Sequence, residues 1–284
     1  MAVQVDVPPL AAPVRKTEKR RAFGEVPGLA TLAFGFLVFL YLPIAVLVVY
    51  SFNAGNIVMV WTGFSTDWYA KAFANEDIRK ATLNSLIVAV SATAIATTCA
   101  TLAALALARG GSFRGKVVSL GVITLPLMVP EIVTAVAMLV FFANLGLNLG
   151  LGNVILAHTT FCIPFAFMPI RARLEGMDTT LEQASRDLYA SDWETFRLVT
   201  LPLLMPGVLA GAMLSFVISM DDFIITLMVA GAGDTTLPVY IYSMIRQGIT
   251  PEVNAVSSIL LLFSILIVTA YWFTTRQKPG AKSH

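Results

Sequence analysis

What most limits the fold of this chain is a succession of long segments with few charges or none. A helix needs about 20 apolar residues to cross the hydrocarbon layer of a bilayer. In lipid, only a helix or a closed barrel satisfies its own backbone N–H and C=O groups. Six segments meet the length requirement, at about 29–50, 81–108, 117–142, 153–170, 203–229 and 254–275. The third is interrupted by Pro126, Pro130 and Glu131, and the fifth contains Asp221 and Asp222. The expectation is an all-α membrane protein with six transmembrane helices. Charged residues are 13% of the chain, against about a quarter in soluble domains. Too few polar residues are left to cover a soluble exterior. Small residues such as Ala89, Ser91, Ala92, Ala94 and Ala96 in the second segment favour close helix packing, and Gly207 with Gly211 gives one Gly-xxx-Gly spacing.

Lysines and arginines set the orientation, because cytoplasmic loops retain them. With both termini cytoplasmic, the tail 1–28, the 109–116 loop, the 171–202 loop and the tail 276–284 hold all of the 19 except Lys71, Arg79, Lys80 and Arg246. The basic cluster Arg15, Lys16, Lys19, Arg20 and Arg21 precedes an apolar run too long for a cleaved leader, so tail and first span are the better reading. The basic residues form no dense stripe, which argues against nucleic-acid binding. Cys99 and Cys162 both lie in apolar stretches and read as buried fillers rather than a disulfide.

The 171–202 loop carries the most information. Thr179 or Thr180 is placed to cap a short helix, with Glu182 in its first turn. Leu181, Ala184 and Leu188 share one face. Ser191 with Glu194 has the capping-box spacing, and Phe196 and Val199 follow on the apolar side. Pro202 and Pro206 are expected to end or redirect the chain before the fifth span. Two amphipathic helices exceed what a link between spans requires. They fit a docking surface for a cytoplasmic partner, or a pair resting on the bilayer.

This segment resembles the coupling loop of binding-protein-dependent ABC importer permeases. Ala184, Ala190, Phe196, Val199, Leu201, Pro202, Pro206 and Gly207 match the family pattern. Gln183 stands at the family's glutamate with Glu182 adjacent, Ser185 at its second alanine, and Tyr189 at its turn glycine. Either the turn avoids positive φ or Tyr189 accepts strain. Segments 51–69, 125–133, 214–226 and 235–255 further resemble the second permease of the polyamine branch. The resemblance implies the type I importer permease fold and a coupling role for Glu182, Gln183, Ala184, Asp187, Leu188, Tyr189, Ala190, Phe196, Pro202 and Gly207. It also implies a homologous partner permease, two ATPase subunits that bind ATP and magnesium, and an external solute-binding protein. The substrate would be a small cation such as putrescine or spermidine. No cofactor is expected on this chain.

Charge near the bilayer centre is costly and faces protein or water. Glu131, Asp221 and Asp222 are therefore candidates for a cation path. The alternative is structural, each acid capping a broken helix or pairing with a polar group. Adjacent helical residues point about 100° apart, so Asp221 and Asp222 do not share one role easily. Trp61 and Tyr69 are further candidates on the external side, and with Trp68 they read equally as interface or loop-packing residues. His158, with no second intramembrane histidine, reads as a packing residue and not a metal ligand. Pro238 and Pro251 read as loop punctuation. No Gly-rich phosphate loop or nucleophile–base set is present, so the chain is expected to be a transport subunit and not an enzyme. The competing readings are an importer permease for another solute, such as iron, an opine, thiamine or an amino acid, and a self-contained secondary transporter.

Overall fold

The computed structural model describes residues 28–275 apart from Met59, Leu149 and Ile249. The basic residues assigned to the two tails lie outside the described residues. The chain divides into two compact units, Met1–Val46 and Leu47–His284. In the first, the described structure is the greater part of α1 (Leu29–Tyr50), a helix apolar on all sides with no buried residue. A helix of that kind is solvated by lipid.

The second unit is wholly helical among the described residues, apart from one isolated bridge between Asn53 and Phe64. It runs through α2 (Asp67–Ala74), α3 (Glu76–Arg109), α4 (Lys116–Thr124), α5 (Glu131–Asn144) and α6 (Leu151–Glu175). It continues through α7 (Thr180–Asp187), α8 (Asp192–Thr195), α9 (Leu201–Asp221), α10 (Ile224–Val229), α11 (Leu237–Gln247) and α12 (Pro251–Thr275). The helices α1, α3, α6, α12 and the continuous run Asp192–Asp221 are each long and apolar enough to span a bilayer. The pair α4–α5 makes a sixth span if its two arms, bent by 106°, count as one.

Each boundary has a local cause. Asn75 starts α3 by accepting from the backbone N–H groups of Asp77 and Ile78, so this helix begins ahead of the apolar stretch. The elbow between α4 and α5 follows from Pro126 and Pro130, which lack the N–H that continues a helix. The fifth apolar stretch is not one helix to residue 229: the extended backbone of Asp222 ends α9, and α10 is a separate short helix. The helix α6 runs on to Glu175, so the first residues of the expected 171–202 loop are helical.

Three expectations about proline and capping need correction. Pro202 and Pro206 do not end or redirect the chain. A π-helical turn, Phe196–Thr200, leads straight into α9, Pro202 stands in the turn that follows it, and Pro206 lies inside the helix. Arg173 Nε donates to the Leu203 carbonyl at 2.9 Å in the turn before Pro206. Pro238 and Pro251 are not loop residues but open α11 and α12. Neither Thr179 nor Thr180 caps α7 by its hydroxyl; Asp178 Oδ1 takes the Thr180 N–H at 2.9 Å instead.

The core lies where α3, α6 and α9 pack together. Ala89, Ala92, Ala96, Ala100 and Ala104, spaced by three and four residues, are all fully buried on α3. Phe167, Ile170 and Leu174 of α6 and Leu204 of α9 fill the space beside them. Lipid tails are as apolar as leucine, so these helices are held by close packing and not by escape from water. Gly207 and Gly211 bring α9 onto α6: a Cβ on Gly211 would lie 2.7 Å from the Ala166 carbonyl oxygen.

Candidate functional site

The two helix breaks meet. The helices α5 and α10 pack against each other, and Glu131 at the start of α5 neighbours the Asp222 carboxyl in the α9–α10 break. Asp222 is 7% exposed. It caps the start of α10, accepting from Ile225 N at 3.3 Å, Thr226 N at 3.0 Å and Thr226 Oγ1 at 3.1 Å. His158 Nε2 lies 3.1 Å from Asp222 Oδ2 and 2.9 Å from Thr226 Oγ1, and Nδ1 lies 2.8 Å from Ser219 Oγ. With the Thr226 hydrogen given to Asp222, the set is satisfied when Nε2 carries a hydrogen and Nδ1 accepts from Ser219. His158 thus ties α6 to both sides of the break.

The structure separates the two adjacent aspartates: Asp222 is buried and Asp221 is exposed at the end of α9. Glu131 is half-buried. The sequence reading of His158 as a packing residue missed its polar partners. A buried imidazole must find hydrogen bonds, and that requirement pointed to the serine, threonine and aspartate between 219 and 226. Among the described residues no cluster of His, Cys, Asp or Glu has the arrangement of a metal site.

Trp61 and Tyr69 belong to the packing of a separate loop. Asn53, fully buried, donates to the carbonyls of Ile57 and Val60 and accepts from Thr62 N, so it sets the course of residues 53–62. Trp61 packs edge-on against Tyr50, while Tyr69 shares a 2.6 Å hydrogen bond with Ser51 and packs on Phe52. Trp68 is buried, with its indole N–H on the Asn53 carbonyl.

At one end of the helices, α7 and α8 form the expected helical pair. Ser191 and Glu194 make the full capping box, as the spacing predicted. The two bonds from Ser191, side chain first and then backbone, hold the Glu194 carboxyl below its ordinary range. The cap is therefore complete above the usual carboxylate range and is lost only as pH falls through that lowered value. Glu182 turns inward to Arg109 Nε at 3.1 Å and Thr200 Oγ1 at 3.1 Å, which links α7 to the end of α3 and to the π-helical turn. Arg109 and Thr200 were not foreseen as its partners. Gln183, Ala184, Asp187, Leu188 and Tyr189 are exposed, Ala190 and Phe196 are half-buried, Pro202 is exposed and Gly207 is buried in the α6–α9 contact. Phe196 packs on the exposed Trp193, with ring centroids 5.6 Å apart. An outward face of Leu181, Leu188, Tyr189 and Trp193 remains.

Tyr189 has φ of 62°, so the turn takes the left-handed conformation at a residue other than glycine. That costs about 1–2 kcal/mol. Replacing Tyr189 by glycine is expected to leave the turn intact and raise stability by up to about 1 kcal/mol. Tyr189→Val, with a β-branched side chain, should lower it by a similar amount. Thermal melting of both purified variants checks the pair, and equal melting points would contradict the strain.

These features define the class: an all-α integral membrane protein with broken helices meeting at a buried carboxyl and a helical pair displayed at one end. The chain belongs to the family of binding-protein-dependent transport system inner membrane components, whose match runs over residues 96–283. It is 41% identical over 240 residues to the spermidine/putrescine transport system permease protein PotC of Escherichia coli strain K12, spanning 84% of this chain and 90% of that one. It is 38% identical over 236 residues to the putrescine transport system permease protein PotI of the same strain, spanning 81% and 84%. A bacterial alginate ABC transporter solved with an alginate pentasaccharide-bound periplasmic protein matches with a TM-score of 0.69 at 15% identity, over 87% of this chain and 92% of that one. At that identity the likeness is one of fold. The importer-permease resemblance read from the 171–202 segment is thus borne out. The chain is a multi-pass subunit of a transport system in the inner membrane and not itself an enzyme.

Proposed function

We propose that this chain is one of two homologous permeases of an ATP-driven importer, forming with its partner the path for polyamines such as putrescine or spermidine. The observation that carries the reading is the 41% identity to a spermidine/putrescine permease over 84% of the chain. The chain has six spans, the α4–α5 elbow counting as one, and both termini are cytoplasmic. This orientation accords with the bias of lysine and arginine, and with the joint lining of one cavity by residues of the 109–117 and 171–179 segments.

Glu131 and Asp222 compensate the ammonium groups of the cation, with Asp221 at the exposed mouth of the break. Trp61 and Tyr69 shape the external entry. The face of α7 and α8, from Glu182 to Phe196, docks on an ATPase subunit, which binds ATP and magnesium. The clamp of Arg109, Glu182 and Thr200 passes the movement of the docked ATPase to α3 and α9. A solute-binding protein delivers substrate from outside.

The test is uptake into proteoliposomes holding the full complex, with labelled putrescine, spermidine, an amino acid and ferric ion. Polyamine uptake that stops when the ATPase is inactivated is the expected result. Uptake of only a neutral or anionic solute would overturn the cation path and leave the importer fold standing.

A further inference from the structure

Where α3 and α6 end and α4 begins, the chain encloses an open cavity of about 450 Å³. Its floor is apolar, formed by Ala104, Leu107 and Leu120, and its rim carries Arg109, Lys116 and Arg171. The charges on this rim are unevenly matched. Arg171 pairs with Glu175 at 2.7 Å, also on the rim, and Arg109 Nε pairs with Glu182. Lys116 Nζ reaches only the Gly111 carbonyl, at 3.3 Å, and no acid pairs with it among the described residues. The surroundings are those of a bilayer interface: Val117 lines the cavity and stands exposed, and the floor belongs to spanning helices.

We propose that this cavity holds one anionic phospholipid of the cytoplasmic leaflet, its phosphate against Lys116 and Arg171 and the upper part of an acyl chain along Ala104, Leu107 and Leu120. Phosphate supplies the charged acceptor that Lys116 lacks. A cavity of this size takes a headgroup and the start of one chain, and the rest of the lipid stays in the bilayer. Basic pockets between spanning helices on the cytoplasmic side are suited to such headgroups. The choice of leaflet rests on the orientation proposed above. The choice of lipid over a free anion rests on the apolar floor. The bound lipid lies between α4, α3 and α6, beside the Arg109–Glu182 clamp.

The test is retention of lipid by the intact complex. The complex is extracted from vesicles of phosphatidylcholine with one-fifth phosphatidylglycerol, and its bound lipid is counted by native mass spectrometry. Wild type is expected to retain phosphatidylglycerol selectively. Lys116→Gln and Arg171→Gln should each lower that retention about fivefold, Lys116→Arg should restore it, and Lys71→Gln at the opposite end should leave it unchanged. If Lys116→Gln fails to assemble, Arg171→Gln and Lys116→Arg still carry the comparison. Equal retention in all variants, equal loss with Lys71→Gln, or displacement of the lipid by millimolar inorganic phosphate would overturn the proposal. The readout needs no substrate, so failure of the polyamine reading leaves it unaffected.

Discussion

Replacing Asp222 by asparagine is expected to lower ATP-dependent uptake per assembled complex by at least about tenfold and to lower the melting temperature as well. The carboxyl accepts from two backbone N–H groups of α10 and from Thr226 Oγ1, and it lies 3.1 Å from His158 Nε2. Asparagine keeps one acceptor oxygen and replaces the other with an NH2. At least one of these donors then faces another donor inside the helix bundle. Leaving a buried donor without its acceptor costs about 1–3 kcal/mol. Glu131→Gln separates transport from stability. Glu131 is half-buried and caps nothing through its side chain, so its neutralisation should reduce uptake with little change in melting. Uptake per folded complex that is unchanged in both variants would leave Asp222 as a helix cap alone and remove both residues from the cation path.

Gly211→Ala is expected to cost about 2–3 kcal/mol and to reduce the yield of folded protein from membranes, although it adds a single methyl group. That methyl would lie 2.7 Å from the Ala166 carbonyl oxygen and 3.2 Å from Ile170 Cγ1. A backbone oxygen in the neighbouring helix has no rotamer to change, so α6 and α9 must separate. Separation would also loosen Ser215 from the Cys162 carbonyl and Ser219 from His158, which join the same pair of helices. Gly121→Ala is the control. It lies in α4 with nothing within 4 Å of an added Cβ, and should be neutral or stabilising by up to about 1 kcal/mol. Melting of the two purified variants decides the matter. Equal behaviour would mean that the glycine contact does not hold the helices together.

Much of this was legible in the chain because it depends on local chemistry. Ser191 and Glu194 form a capping box at the spacing that predicts one. Glu131, Asp221 and Asp222 stand out because charge in an apolar run is costly wherever the chain folds. Pro202, Pro206, Pro238 and Pro251 misled for one reason. Proline forbids a helix only where its missing N–H or its ring meets a carbonyl that nothing else satisfies. At residues 238 and 251 the first turn makes that loss free, and Pro202 follows a π-helical turn that leads the chain straight into α9 with Pro206 inside it. Tyr189 stood as an open choice between strain and a different turn, and the turn took the strain.

The division follows the range of the forces. Sequence alone determined that the chain spans a membrane by helices, and which segments are too charged or too broken to be plain spans. Those properties sum over neighbours in the chain, and the cost of exposing backbone to lipid applies in any fold. Only the tertiary structure decided that Glu131 meets Asp222, that His158 is the neighbour of Asp222, that Glu182 faces Arg109 and not outward, and that Gly211 touches Ala166. Each of these joins residues more than 40 positions apart. Their pairing depends on how α3, α5, α6, α9 and α10 come together, and no periodicity along the chain records it.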